Sequence, residues 1–350
     1  MKNPYILAID TSCDETSVAV NQGQKILSNV VASQINLHQQ YGGVFPTVAK
    51  QAHQENIEPT ITAALKKAQL KIEQIDYLAV TQGPGLAPAL EIGIEKIIEL
   101  GKKYHKPVLA VNHIEGHILS VLAQAKPTKK AFSSIQPQLP ALSVVVSGGH
   151  TEFVLVKKIG EYKKLGTTLD DAAGECLDKV GRLLGLGYPA GPTVELFAKK
   201  GDPKAFDFPL PMTTSNDFNL SFSGMKTHSR KMIEKLEQNN QLDKQTIINF
   251  CAGLQYGVFR HITYKLRKLL AQLEVKELWL GGGVAANTQL KAELRKVAQE
   301  FKLKFRTPYT KRLCGDNGAM IGVTGYYQVI NQKTQPQKLD RKPHWDISEL

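Results

Sequence analysis

Short apolar runs alternate along this chain with longer stretches of helical periodicity, and polar or glycine-bearing turns separate them. Tyr5–Asp10 is a continuous apolar run, too short for a helix, and predicts a buried strand. A second strand is expected over Thr16–Val20, and a third extended stretch, Lys25–Ser33, follows the Gly23 turn. Helical spacing then covers Ala49–Ala68 and Ala89–Tyr104, each followed by a strand, Tyr77–Thr81 and Pro107–Val111. The second half starts in the same way. Ala141–Val146 is an apolar strand, Ser147–His150 a turn, Thr151–Lys157 a returning strand, and Tyr162–Gly166 extends again. Asp170–Gly181 predicts a helix with small residues on one face, Phe218–Thr227 a non-helical stretch, and Leu278–Asn287 a strand, a glycine turn and a helix start.

Alternation of strands and helices implies an α/β fold, and a strand–turn–strand unit that occurs once in each half implies an internal duplication. The expected division is an N-terminal lobe over 1–140 carrying the His pair, a C-terminal lobe over 141–330 carrying the nucleotide turns and Asp316, and a peripheral basic tail over 331–350. Ala125–Pro140, rich in Pro, Lys, Ser and Gln, predicts the linker between the lobes.

Composition narrows the function classes. No run of 18 or more apolar residues occurs, so no membrane-spanning helix is expected. Met1-Lys2-Asn3-Pro4 leads directly into the first strand without the basic and apolar regions of a signal peptide. The four cysteines (Cys13, Cys176, Cys251, Cys314) are widely spaced, which argues against a disulfide framework or a zinc knuckle and for a reduced, cytoplasmic setting. A net charge of +12, from 44 Lys and Arg against 32 Asp and Glu, is compatible with a polyanionic partner and equally with simple solubility.

Four turns have the composition that accommodates phosphate: Thr11–Thr16 with Ser12, Gly83–Leu86, Ser147–Thr151, and the triple-glycine turn containing Gly282 and Gly283. Glycine lets backbone N–H groups approach anionic oxygens, and a following helix N-terminus adds a favourable dipole. None is a Walker loop or a GxGxxG, and each also fits a tight turn without a ligand. Ser223 and Lys226 in the 218–227 stretch add hydroxyl and ammonium donors.

Metal chemistry is suggested by His113-Ile-Glu-Gly-His117, where two imidazoles four residues apart share one helix face behind the N-cap candidate Asn112. Asp316 offers the hard anionic third ligand, a set that suits iron or zinc. Two helical histidines without an ion fit the same pattern. A zinc-peptidase role does not fit: Glu115 sits between the histidines and turns away from their face, where it could not act on a metal-bound water.

Taken together, the segments AIDTSCDETSVAV, GGVFPTVA, GPGL, NHIEGH, VSGGHTE, DDAAGECLDKVGRLLGLGYPAGP, NLSFSGMKT, GGGVAANTQL and CGDNGAMIG closely resemble the TsaD (Gcp/YgjD) family across residues 5–327. The resemblance implies the fold shared by actin, hexokinase and Hsp70, with two duplicated lobes and an interlobe nucleotide cleft. It also implies transfer of threonylcarbamoyl from threonylcarbamoyl-adenylate to N6 of the tRNA adenosine next to the anticodon, with AMP released. By motif, His113, His117 and Asp316 would hold one divalent metal, Fe2+ ahead of Zn2+. Val145, Val146, Ser147, Gly148, Gly149, Asp178, Gly191, Glu195 and Asn287 would bind the adenylate or another ATP- or AMP-type nucleotide. Implied partners are tRNA, a paralogous TsaB-type subunit and a TsaE-type ATPase, and no membrane. One departure stands out: after Gly83-Pro84-Gly85-Leu86 many relatives continue Gly-Ser-Leu, whereas this chain has Ala87-Pro88-Ala89-Leu90, with Pro88 suited to a first helical turn. A small-metabolite kinase of the same fold, a peptidase and a non-catalytic subunit are the competing readings.

Overall fold

A computed structural model describes residues 3–125, 135–332 and 339–350 of the chain. The strands are β1 Tyr5–Asp10, β2 Glu15–Gln22, β3 Lys25–Ser33, β4 Tyr77–Gly83, β5 Val108–Asn112, β6 Ala141–Val146, β7 Thr151–Lys158, β8 Glu161–Thr167, β9 Glu277–Gly281 and β10 Lys304–Arg306. The helices are α1 Ile35–His38, α2 Pro46–Ala68, α3 Ala87–Tyr104, α4 His113–Leu119, α5 Ala173–Leu183, α6 Gly191–Ala198, α7 Ser223–Gln238, α8 Lys244–Leu270, α9 Thr288–Glu300 and α10 Gly318–Ile330. Two five-stranded sheets form, ordered β3-β2-β1-β4-β5 and β10-β9-β6-β7-β8. Renumbered from its own first strand, the second order is the first one again, so the duplication legible in the strand–turn–strand units extends to whole sheets.

The chain divides into two compact units, one of Met1–Leu139, Val156–Lys163 and Arg306–Leu350, the other of Pro140–Leu155 and Lys164–Phe305. In the first unit β1 runs antiparallel to β2 and parallel to β4, and β4 runs parallel to β5. Its parallel strands are apolar on both faces, as two-sided coverage demands. On one face Leu7, Ile9, Leu78 and Val80 pack against Ile57 and Ile61 of α2 and Leu90, Ile94 and Ile97 of α3. On the other, Ile6, Ala8, Ala79, Leu109 and Val111 meet Met320 and Ile321 of α10. Asp316, expected in the C-terminal lobe, belongs instead to the same compact unit as His113 and His117, because the chain returns to the first unit at Arg306 after completing the second sheet.

Gly318 explains how α10 comes so close to the sheet. A Cβ there would lie 2.8 Å from both the Ala8 carbonyl oxygen and the Ala19 nitrogen. In its place the Gly318 N–H donates to Ser17 Oγ at 2.8 Å, and Asn21 Nδ2 donates to the Ala319 carbonyl at 3.0 Å.

Two further expectations differ from the structure. The stretch 218–227 is not wholly non-helical, because α7 begins at Ser223. Its start is organised by Asp170, whose carboxylate accepts from the N–H groups of Phe222 and Ser223 and from the hydroxyls of Ser221 and Ser223. This cap lies some fifty residues away in sequence, beyond any local pattern. The expected peripheral tail is, over its described residues 339–350, hydrogen-bonded to the first unit through Gln82, Gly85 and Asn112. Residues 126–134 of the expected linker and 333–338 of the tail lie outside the described residues.

A pH dependence of stability follows from His261 of α8. The side chain is fully buried, and its Nε2 accepts the Ser221 N–H at 3.3 Å, which requires that nitrogen to be unprotonated. Burial, reinforced by the Lys265 ammonium, lowers its pKa to about 4. The unfolded chain therefore takes up this proton first, near its ordinary pKa of about 6.5. The stabilisation is complete above that pH and is lost as pH falls towards about 4, amounting to roughly 2 kcal/mol by pH 5. Denaturant melts at pH 7.5 and 5.0 should show this loss, and His261→Phe should reduce the difference by that amount.

Candidate functional site

The His pair is placed by the end of β5. Asn112 closes the strand in extended conformation, and its Oδ1 accepts from the N–H groups of Ile114 and Glu115 at 2.9 and 3.2 Å. This N-cap starts α4 at His113, so His117 falls one turn later on the same face. Every residue of α4 is buried. The two imidazole rings stand edge to face with centroids 4.6 Å apart. Glu115 leaves the other side of the helix, where its Oε1 accepts from the Tyr162 hydroxyl at 2.8 Å.

Asp316 is placed by a second asparagine cap. Asn317 Oδ1 accepts from the Met320 N–H, starting α10, while its Nδ2 donates to the Gly315 carbonyl. With α10 pinned to β2 through Ser17, the preceding Asp316 presents Oδ1 at 3.4 Å from His113 Nε2 and 3.2 Å from His117 Nε2. Two donors bound at about 2.1 Å to one tetrahedral ion stand about 3.4 Å apart, and slightly less in an octahedral site. One ligand atom from each of the three residues lies within 4.8 Å of the others. The donor set therefore has the chemistry and spacing that a divalent transition metal needs.

Its electrostatics agree. Burial would lower the His113 pKa, but the Asp316 carboxylate and then Asp10 outweigh burial and raise it to about 10. Burial would raise Asp316, and the imidazolium of His113 overcomes this and holds the carboxyl well below its ordinary range. His117 is pushed down by burial and by charged His113, so it is neutral, the form that ligates. Among the described residues, both nitrogens of His117 and Nδ1 of His113 are buried without a hydrogen-bond partner, a cost that a cation at the Nε2 side would relieve in part. Burial, with Asp14 and Asp316 beside it, raises Glu15 above its ordinary pKa.

Sequence reading missed Asp10. This fully buried carboxylate accepts from Thr81 Oγ1 at 2.7 Å, and the same oxygen lies 3.7 Å from His113 Nδ1. Carboxylates behind metal-binding histidines orient the ring and fix which nitrogen is free to ligate. Nothing in the local pattern marks Asp10 beyond its place as the polar last residue of an apolar strand.

The nine residues expected to bind the adenylate all lie in the second unit. Val145 and Val146 are buried in β6, and the following Gly148 and Gly149 are exposed, with open space where a Cβ would stand. Gly174 of α5 passes against that turn, since a Cβ on it would be 2.5 Å from the Ser147 carbonyl. Gly282 has φ +90° and sits on the Val146 backbone, 2.4 Å from its carbonyl by the same measure, while Gly283 faces open space. Gly191 opens α6 and is likewise uncrowded.

Several of the polar candidates are held by internal bonds. Asp178 accepts from the Ala190 N–H and pairs with Arg182, and Glu195 accepts from the Thr288 N–H and hydroxyl. Asn287 caps α9 through Gln289 and Leu290 and donates to Gln255. Ser223 gives both its N–H and its hydroxyl to Asp170. In the first unit, the Gly85 and Leu86 N–H groups are taken by the Pro343 and Ser12 carbonyls, whereas the buried Ser12 Oγ has no hydrogen-bond partner.

Comparison with known proteins decides the family. A family model described as tRNA N6-adenosine threonylcarbamoyltransferase matches residues 25–323. The chain belongs to this family. A relative of that name from Geotalea uraniireducens is 40% identical over 347 residues, covering 99% of this chain and 97% of the relative. Another from Thermosipho africanus is 42% identical over 342 residues, covering 98% and 99%. Among solved structures, component A of the (R)-2-hydroxyglutaryl-CoA dehydratase of Acidaminococcus fermentans aligns with TM-score 0.54 and 13% identity over 93% of this chain and 99% of that one. HypF of T. kodakarensis aligns with TM-score 0.56 and 14% identity over 94% and 48%. Such similarity shows the fold alone, which is that of the actin, hexokinase and Hsp70 class. The family transferase acts on tRNA, placing threonylcarbamoyl on N6 of adenosine. No described helix is long and apolar enough to cross a membrane.

The raised His113 pKa makes a measurable prediction. At pH 7 the ion-free site carries a proton on His113 that a metal must displace, so affinity should rise by up to about tenfold per pH unit below about pH 10. Calorimetric titration with Zn2+ in buffers of different ionisation enthalpy should register close to one proton released per ion. His117→Ala should abolish binding at micromolar metal.

Proposed function

We propose that the transferase takes threonylcarbamoyl-adenylate as donor and modifies the adenosine adjacent to the anticodon in tRNAs that read ANN codons. The N6 amine attacks the carbamoyl carbon. A C–N bond forms, the carbon–oxygen bond to the phosphate breaks, and AMP leaves as N6 gives up a proton. In this reading His113, His117 and Asp316 hold one divalent ion, Fe2+ ahead of Zn2+. When bound, that ion supplies Lewis-acid polarisation to threonylcarbamoyl oxygens. The observation that carries the reading is the spacing of the three donors, 3.2 and 3.4 Å from the shared Asp316 oxygen to the two imidazole nitrogens, in a chain of this family.

The adenylate falls to the second unit in this proposal. Gly148, Gly149 and Gly283 offer unobstructed backbone for phosphate or ribose, and Val145, Val146, Ser147, Gly191 and Gly282 shape the turns around them. Asp178, Glu195 and Asn287 keep those turns and helix ends rigid through the internal bonds described above. A dehydratase activator from Clostridium difficile that shares the fold with TM-score 0.54 was solved with bound ADPNP, which supports an adenine nucleotide as the ligand class. Direct transfer is favoured over a covalent enzyme intermediate by the state of the thiols. Burial raises Cys13 well above its ordinary pKa and pushes Cys176 and Cys251 up to about 12, so none of these is a ready thiolate. A TsaB-type subunit and a TsaE-type ATPase in the cytoplasm complete the proposed system.

The test is direct. The protein is incubated with threonylcarbamoyl-adenylate, an ANN-reading tRNA and the two partner proteins, with and without a chelator, and the nucleosides are analysed. Modified adenosine should form and should fall at least tenfold in chelator or in Asp316→Ala. Full modification in the chelated sample would remove the metal from the reading, and no product from the untreated one would remove the donor assignment.

A further inference from the structure

The end of the chain reaches the cap of the His helix. Residues 339–350 run across the β4–α3 turn in a series of backbone bonds: the Lys342 N–H donates to the Gln82 carbonyl at 2.8 Å, and the Gly85 N–H to the Pro343 carbonyl at 3.1 Å. Gln82 Nε2 donates to the Asp340 carbonyl at 2.6 Å. Gly83 leaves room for the crossing, since a Cβ on it would stand 1.8 Å from the Lys342 carbonyl oxygen. Leu339 packs against the α2–α3 core, Ile347 is 2% exposed, and Arg341 pairs with Glu91 of α3. At its far end the Trp345 carbonyl accepts from Asn112 Nδ2 at 3.1 Å.

That last bond matters because the Asn112 amide has two ends. Its oxygen caps α4 through Ile114 and Glu115, and its nitrogen is held by Trp345. Fixing the nitrogen fixes which way the oxygen faces, and His113 is the next residue. We propose that segment 339–350 is a positioning strap for the metal donors: by orienting the Asn112 amide it holds His113 and His117 at the spacing a divalent ion needs. The inference rests on the metal reading of His113, His117 and Asp316 and goes beyond it by assigning the ligand geometry to the chain's last residues. Partners that orient a ligand from behind typically change metal affinity by about tenfold or more, so the strap should act on affinity in that range.

The experiment titrates Co2+ by its visible absorption into four proteins: the full chain, a chain ending at residue 338, full-length Asn112→Ser and full-length His113→Ala. Serine keeps an oxygen that caps the helix and lacks the nitrogen that meets Trp345, so that variant tests the strap without truncation. Thermal melts run alongside. The shortened chain and Asn112→Ser should bind Co2+ about tenfold more weakly, with an altered absorption band, while remaining folded at the assay temperature. A synthetic peptide of residues 339–350 added to the shortened chain should restore tighter binding and the band, and should do nothing for Asn112→Ser. Co2+ affinity of Asn112→Ser within twofold of the full chain would overturn the strap, as would peptide rescue of that variant. His113→Ala binding as tightly as the full chain would instead overturn the metal reading beneath it.

Discussion

A largely buried carboxylate, Asp316, shares one oxygen between two imidazole nitrogens, and the caps of α4 and α10 with the Gly318–Ser17 bond hold that approach. Taking three such groups from water is costly unless each finds a partner. The ion-free protein meets part of that cost with a proton on His113, and a divalent ion would replace the proton with a stronger and more central charge. Asp10 and Thr81 behind His113 extend the arrangement inward. In the proposed site, metal uptake would displace this proton and so be coupled to pH.

Its geometry is set by two asparagines rather than by the ligands themselves. Asn112 and Asn317 each begin a helix, and each has a proposed metal donor as its immediate neighbour in sequence, one after and one before. An N-cap fixes the backbone where the chain turns from extended to helical, so an adjacent side chain inherits a defined direction. Asn287 performs the same service at α9 beside the triple-glycine turn. Asparagine here shapes backbone at the places where ligands are expected.

The polar residues of the second unit are likewise occupied in shaping backbone. Asp178, Glu195 and Asn287 occupy N–H groups at helix starts and turns, and Asp170 occupies those of α7. The glycines at 148, 149 and 283 leave backbone open instead. Carboxylates would repel a phosphate, and here Asp178 and Glu195 are occupied in internal bonds while the glycine turns proposed for the adenylate stay open.

Much of the fold was legible locally. Apolar runs located β1 and β6, and helical spacing located α2 and α3, because burial on one or both faces imposes a short repeat that any window of the sequence displays. The His pair and its Asn112 cap were legible for the same reason, since all three belong to one strand end and one helix. What only the tertiary structure decided is which distant groups complete each local device. Asp316 meets histidines about two hundred residues earlier, Asp10 backs His113 from a strand end, Asp170 starts α7 from fifty residues away, and Trp345 holds Asn112 from the chain's last turn. Hydrogen bonds and charge pairs of that kind have no periodicity along the chain, and they exist only once packing has brought their ends together.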